Sequence, residues 1–183
     1  VDNKTLTLDD SLGQHIDLDS TNKDNLIIRD VLAHQAKLVP WIPFYKQTME
    51  FDSVFSKFNL RDTLYSKSFS NQFPHIVAKD IFLHKQYPDT ILKQVILSDL
   101  LEKDQYCYSD LGYYIFKKII EIKYEKKLNE ISDSLLYKRL GMENLGFLPL
   151  DNIDLNRIIP TEFDSDFRGQ LLQGYVHDMG AAM

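Results

Sequence analysis

A mixed α+β fold in which helix dominates is what this sequence predicts, and three observations predict it. Leu111, Tyr114, Ile115, Ile119 and Ile122 form an apolar stripe at helical period. A second helical stretch from about Leu128 to Leu140 stops at Gly141, a residue suited to a left-handed C-cap. Beyond it the chain is broken by Pro149 and Pro160 and alternates more, which predicts loops with one or two short strands.

The earlier elements follow from the same signals. Residues 1–25 are polar and rich in Asp, Asn, Ser and Thr, with a short helix expected around Leu8 to Ile16. Ile28, Val31 and Leu32 stand at i, i+3 and i+4, a brief helix over Ile27–Ala33. Pro40 and Pro43 bracket Trp41 in a loop. From Phe44 to about Pro88 the aromatic, mixed pattern reads as helical turns separated by loops, with one extended piece at Ile76–Leu83. Pro88-Asp89 opens a helix whose apolar face is Ile91, Leu92, Val95 and Ile96, and a charged linker then leads to Tyr106. Ser109 can cap the helix that follows, and Asp110 suits the positive end of its dipole.

Composition narrows the function. An apolar fraction of 44% and a charged fraction of 26% are ordinary for a globular chain of 183 residues, with eleven Phe and ten Tyr to build an aromatic core. The formal charge of −6 argues against a nucleic-acid groove or an anionic membrane surface as partner. No apolar run approaches the roughly 18 residues of a membrane span. Cys107 is the single cysteine, so no intrachain disulfide can form. The chain starts at Val1 without an initiator Met and ends at Gly180-Ala181-Ala182-Met183 without a terminating signal, so it reads as an internal stretch of a longer protein.

Tyr108-Ser109-Asp110-Leu111-Gly112 is the stretch that carries chemistry, a tyrosine and an acid on a loop opening into a helix. Taken alone, it reads more simply as an aromatic core residue followed by an N-cap pair. The other candidates are weaker. The five histidines show no His-x-x-x-His spacing, and His75 and His84 lie too far apart to read as ligands, so no metal is expected. Cys107, between two tyrosines, reads as a small buried hydrophobe rather than a nucleophile. Asp9-Asp10 and the pair Asp164 and Asp166 read as turns or caps, and His177-Asp178 as a loop hydrogen bond.

Four blocks carry a resemblance. Thr5-Leu6-Thr7-Leu8-Asp9-Asp10, Ile28-Arg29-Asp30-Val31-Leu32-Ala33-His34, Tyr108-Ser109-Asp110-Leu111-Gly112 and Leu140-Gly141-Met142-Glu143-Asn144-Leu145-Gly146-Phe147 occur in that order. Together they resemble the serine β-lactamase and penicillin-binding (DD-peptidase) family, in its class C and esterase-like branch. Gln35-Ala36-Lys37-Leu38 departs from that family's Thr-Ser-Gly-Leu. Ile159-Pro160-Thr161-Glu162 through Gly174-Tyr175-Val176-His177-Asp178 resembles a subgroup whose hydrolase-like domain is often joined to a glycoside hydrolase of the family 3 type.

The resemblance implies that residues 1–183 are a single partial domain, the helical lobe of the β-lactamase/DD-peptidase fold with an incomplete sheet. It implies Tyr108 as the general base that takes the proton of a serine nucleophile. It implies Asp110 at the position that binds substrate and the catalytic lysine, where the family has Asn. An ionised Asp accepts from a lysine but cannot donate to a substrate carbonyl. That disfavours penicillin hydrolysis and leaves esterase or peptidase chemistry on a small or peptidoglycan-like substrate. The family's Ser-x-x-Lys nucleophile lies upstream of the first block. Ser20-Thr21-Asn22-Lys23 has the letters but sits in a polar loop downstream of it, and no Lys-Thr-Gly or His-x-Gly follows.

Without those cations Tyr108 should be an ordinary phenol and the segment inactive by itself. No cofactor is implied. A periplasmic or cell-surface location follows from the family. A lobe cut from its sheet should also self-associate through exposed apolar surface. The competing expectation is a non-catalytic helical binding module on the same scaffold.

Overall fold

The computed structural model describes residues 6–103 and 105–178. Thr5 of the first block and the stretch Gly180–Met183 lie outside them. The described residues form a mixed α/β structure of four helices and seven short strands, arranged as two compact units, each made from two separated stretches of chain.

The first unit comprises residues up to Ile42 together with Leu92–Leu140. Its helices are α1 (Ile28–Leu32), the second half of α2 (Tyr87–Leu97), α3 (Leu111–Tyr124) and α4 (Leu128–Ser132). The expected stripe of α3 buries Leu111, Ile115 and Ile119 completely, with Phe116 beside them, while Ile122 at its far end is exposed. Glu125 ends α3 in the left-handed region at φ 51°, and the α4 entry is fixed by Glu130 accepting from the Lys127 N–H at 3.1 Å. The helix expected to Leu140 is instead interrupted by a π turn at Asp133–Tyr137, and Gly141 does take the left-handed conformation, at φ 66°. The helix expected at Leu8–Ile16 shrinks to a single 3₁₀ turn, Leu12–Gln14.

α1 lies hard against the start of α3. A Cβ on Gly112 would stand 2.3 Å from Val31 Cγ1 and 3.4 Å from Leu38 Cδ1, so this contact exists only because position 112 has no side chain.

The second unit comprises Pro43–Ile91 and the residues from Gly141 onward. Here the sequence reading needs correction, because of the expected helical turns only a 3₁₀ turn at Phe44–Thr48 forms, and the regular structure after it is strand. β1 (Met49–Asp52) and β2 (Lys57–Leu60) form an antiparallel hairpin. A second sheet orders β3 (Tyr65–Ser66), β5 (Ile81–Leu83) and β4 (His75–Ala78). The extended piece expected at Ile76–Leu83 thus becomes a hairpin with a bulge between Ile76 and Ala78.

A third hairpin pairs β6 (Glu162–Asp164) with β7 (Gln170–Leu172), the short strands expected near the end. The core gathers Phe44, Val77, Ala78, Leu83, Phe167 and Leu172. Its polar pins are Tyr65 Oη donating to Thr48 Oγ1 at 2.9 Å and Tyr87 Oη donating to the Phe44 carbonyl at 3.0 Å. Burial pushes the Tyr65 phenol well above its ordinary value, so it stays a donor.

Candidate functional site

Three of the four blocks meet in the first unit. The first is laced to the second by backbone bonds, Ile28 N–H to the Asp10 carbonyl at 3.0 Å and Arg29 N–H to the Leu8 carbonyl at 2.9 Å. Arg29 Nη2 adds a 2.8 Å bond to Asp9. Asp10, read as a turn or cap residue, closes a turn on Thr7. Thr7's hydroxyl and N–H and the His15 ring bond to its carboxylate, and together they lower its pKa to about 2.

The second block and the residues after it then hold the third. Cys107 N–H donates to the His34 carbonyl at 2.9 Å and Ser109 N–H to His34 Nδ1 at 3.3 Å. Asp110 N–H donates to the Pro40 carbonyl at 3.3 Å. Ser109 is buried. Its hydroxyl donates to the Val39 carbonyl at 2.7 Å and accepts from the Leu111 N–H at 3.2 Å, so it caps the first turn of α3 while tying the loop down. Ser109 is therefore structural.

Tyr108 and Asp110 are left available on either side of it. The Tyr108 side chain is 60% exposed and its ring lies 4.6 Å from the His34 imidazole, centroid to centroid. The neighbouring Asp110 carboxylate raises the phenol's pKa above its ordinary value, because a phenolate there would face a like charge. Tyr108 is thus a weaker acid than the ordinary phenol the sequence suggested. Asp110→Asn is expected to move the Tyr108 titration back down toward the free-tyrosine value, read by the phenolate absorbance against a Tyr108→Phe blank. An unmoved titration would mean that Asp110 is not the cause.

Ser20-Thr21-Asn22-Lys23 is a turn and not the start of a helix. Ser20 is exposed in the left-handed region at φ 54°, and the Asp24 N–H closes back on the Thr21 carbonyl at 3.2 Å. Lys23 is wholly buried, donating to the Ser98 carbonyl and, at 2.7 Å, to Asn22 Oδ1. Burial pushes its pKa down, partly opposed by Asp99. It fastens the first stretch of the unit to the end of α2. Sequence reasoning missed this role because the partner lies 75 residues away.

The departure at Lys37 also gains a physical meaning. Lys37 adopts φ 58°, the left-handed region that a glycine occupies freely and a side-chain-bearing residue does not. Lys37→Gly is expected to stabilise the chain by about 1 kcal/mol through relief of that strain, measured by urea denaturation. A lower midpoint would show that contacts of the Lys37 side chain outweigh it.

In the second unit the late block closes on itself. His177 Nδ1 lies 2.7 Å from Glu162 Oε1, joining its two ends. Beneath them Arg168 and Asp164 form a fully buried ion pair at 2.6 Å, and the Arg168 guanidinium also donates to the Val176 and His177 carbonyls. Nothing in the sequence marks Arg168 as buried. Asp164, read as a turn residue, does accept from the N–H groups of Asp166, Phe167 and Arg168.

His75 and His84 come closer than their spacing suggested, since His75 pairs with Leu83 across the β4–β5 hairpin. Even so, the described residues contain no group of three or more potential ligands arranged to hold a metal. Among them, no helix is long and apolar enough to cross a membrane. Cys107 is partly exposed rather than buried.

No protein-family model matches the chain, and no curated protein matches it. Among solved structures it is similar to a protein from Bacteroides dorei provisionally named a beta-lactamase, at 15% sequence identity and a TM-score of 0.47. The similarity covers 91% of this chain and 38% of that one, so the chain spans well under half the length of that protein.

Proposed function

We propose that residues 1–183 are a single partial domain of a serine hydrolase of the β-lactamase and DD-peptidase type, and that Tyr108 and Asp110 form its second motif. The observation that carries this is the alternation of the loop. Ser109 is buried and spent on the fold, while Tyr108 on one side is exposed and Asp110 on the other keeps its carboxylate beside the phenol. The same loop is held by the two sequence blocks that resemble the family independently of it.

In the reaction Tyr108 takes the proton of a serine hydroxyl as that oxygen attacks the carbonyl of an ester or amide. The proton passes to the departing alcohol or amine, and water then releases the acyl group. The raised Tyr108 pKa makes the phenolate scarce until cations come close. The nucleophile and those cations come from groups outside this loop. Asp110, an acceptor only when ionised, suits a lysine partner and an ester or peptide substrate better than a β-lactam.

The periplasmic or cell-surface location, the peptidoglycan-like substrate and the joined glycoside hydrolase belong to the same proposal. Reading the sequence encoded on either side of this chain tests all of them. A Ser-x-x-Lys opening an apolar helix ahead of Val1 is expected, and a complete flanking sequence without one ends the hydrolase reading. Self-association is supported by exposed Phe51, Val54, Phe55 and Phe58 on the β1–β2 hairpin, and a strictly monomeric sedimentation profile would count against it.

A second reading is favoured by one observation. Asp110 holds the proton on Tyr108, which suits a binding module whose phenol only donates and stacks. Ligand binding that depends on Tyr108 without any covalent labelling would select it.

A further inference from the structure

We propose that His34 is the positioning residue of the Tyr108 loop, holding it through its carbonyl, its Nδ1 and its ring face at once. The inference deepens the hydrolase reading and rests on it for what Tyr108 does, whereas the clamp stands on geometry alone. Two alternate amides of the loop, Cys107 N–H and Ser109 N–H, donate to one residue, the first to its backbone oxygen and the second to its ring nitrogen. Tyr108 lies between them, so its backbone cannot shift without straining these contacts.

The ring of Tyr108 packs on the imidazole at 4.6 Å with a 42° tilt, and Tyr106 and Tyr113 flank it at 6.0 and 5.9 Å. An acceptor at Nδ1 requires the neutral imidazole with its proton on Nε2. His34 reaches this place by adopting the left-handed conformation at φ 57° just beyond Ala33, the C-cap of α1, with its own N–H on the Val31 carbonyl at 3.1 Å. That strain has a use. It turns both acceptors of one residue toward a loop 75 positions away.

The test compares His34→Asn, His34→Gln and His34→Ala in the same 183-residue chain by NMR. Asn tolerates the left-handed region and carries Oδ1 at nearly the place of Nδ1, whereas the Gln oxygen sits one bond too far out. In the wild type a through-hydrogen-bond coupling between the Ser109 amide nitrogen and His34 Nδ1 is expected. Exchange of the Ser109 amide with solvent should quicken roughly tenfold in His34→Ala and His34→Gln and return to near the wild-type rate in His34→Asn. Ring-current shifts of Tyr108 should fall in all three.

An absent coupling, or Ser109 exchange and Tyr108 shifts unaltered in His34→Ala, overturns the proposal. If His34→Ala does not fold, the Asn–Gln comparison decides, and equal exchange in those two also overturns it. A clamp seen by NMR in a protein that never labels with an acylating probe would leave His34 in place and remove the hydrolase reading.

Discussion

Replacing Arg168 with methionine is expected to destabilise the second unit by about 3–5 kcal/mol, the usual cost of breaking a buried ion pair from one side. Arg168 and Asp164 have side chains 0% and 1% exposed, so no water replaces the lost guanidinium. Methionine fills similar space but leaves the Asp164 carboxylate with backbone amides alone. It also strips the Val176 and His177 carbonyls of their donor.

Denaturant unfolding reads the loss. Faster amide exchange across Tyr175–Asp178 locates it. Adding Asp164→Asn should recover part of the loss, because Asn keeps an acceptor for the Asp166 and Phe167 N–H groups without a buried charge. The pH dependence has a definite sign. Burial alone raises the Asp164 pKa, but the Arg168 hydrogen bond and charge and the backbone donors outweigh it, and the net shift is downward. A carboxylate with a depressed pKa stabilises the fold above its unfolded value near pH ~4 and loses that contribution as pH falls through the folded pKa. The gap between wild type and Arg168→Met should therefore be full at neutral pH and close in acid. A gap that persists unchanged at pH ~2 would show that the charge pair is not its source.

Gly112→Ala is expected to cost about 1–3 kcal/mol, although alanine is the better helix former. The new methyl would stand 2.3 Å from Val31 Cγ1. Val31 is buried and β-branched, so it cannot swing clear by changing rotamer, and α1 must move off α3. The double variant Val31→Ala, Gly112→Ala should lose less than the sum of the two single changes. A stabilised Gly112→Ala would mean that α1 and α3 do not pack as described. The consequence reaches the site, because only Ala33 separates His34 from α1 and a displaced α1 draws it away from Ser109.

Much of this was legible in the sequence, for a physical reason. α1, α2 and α3 announce themselves because each buries one stripe against a core, and burial at helical period leaves a pattern in the letters. Gly141 and the β6–β7 strands were legible through turn chemistry. The β1–β2 hairpin was not, since Phe51 and Phe58 both face solvent and a two-stranded ribbon with an exposed apolar face shows no inward–outward alternation.

The candidate loop was readable as to its residues. Ser109 read as the cap of α3; Asp110 takes the N-cap position, and the Ser109 hydroxyl, one residue earlier, accepts from the Leu111 N–H. What could not be read was what depends on long-range contacts, namely His34 beneath Tyr108 and Lys23 on the Ser98 carbonyl. Single-residue propensities carry no record of a partner 75 positions away. The departures were informative all the same. Lys37 marked a left-handed position, and Asp110 turned out to set the acidity of its neighbour.

The central claim is that Tyr108 serves as the base of an acyl-transfer reaction. The most direct measurement is covalent labelling of the protein, expressed with its native upstream sequence, by a fluorescent phosphonate and by a fluorescent penicillin. The phosphonate is expected to label the wild type, the penicillin poorly, and Tyr108→Phe should label with phosphonate at least 100-fold more slowly, the lower end of what a general base supplies. Equal labelling of wild type and Tyr108→Phe would contradict the account.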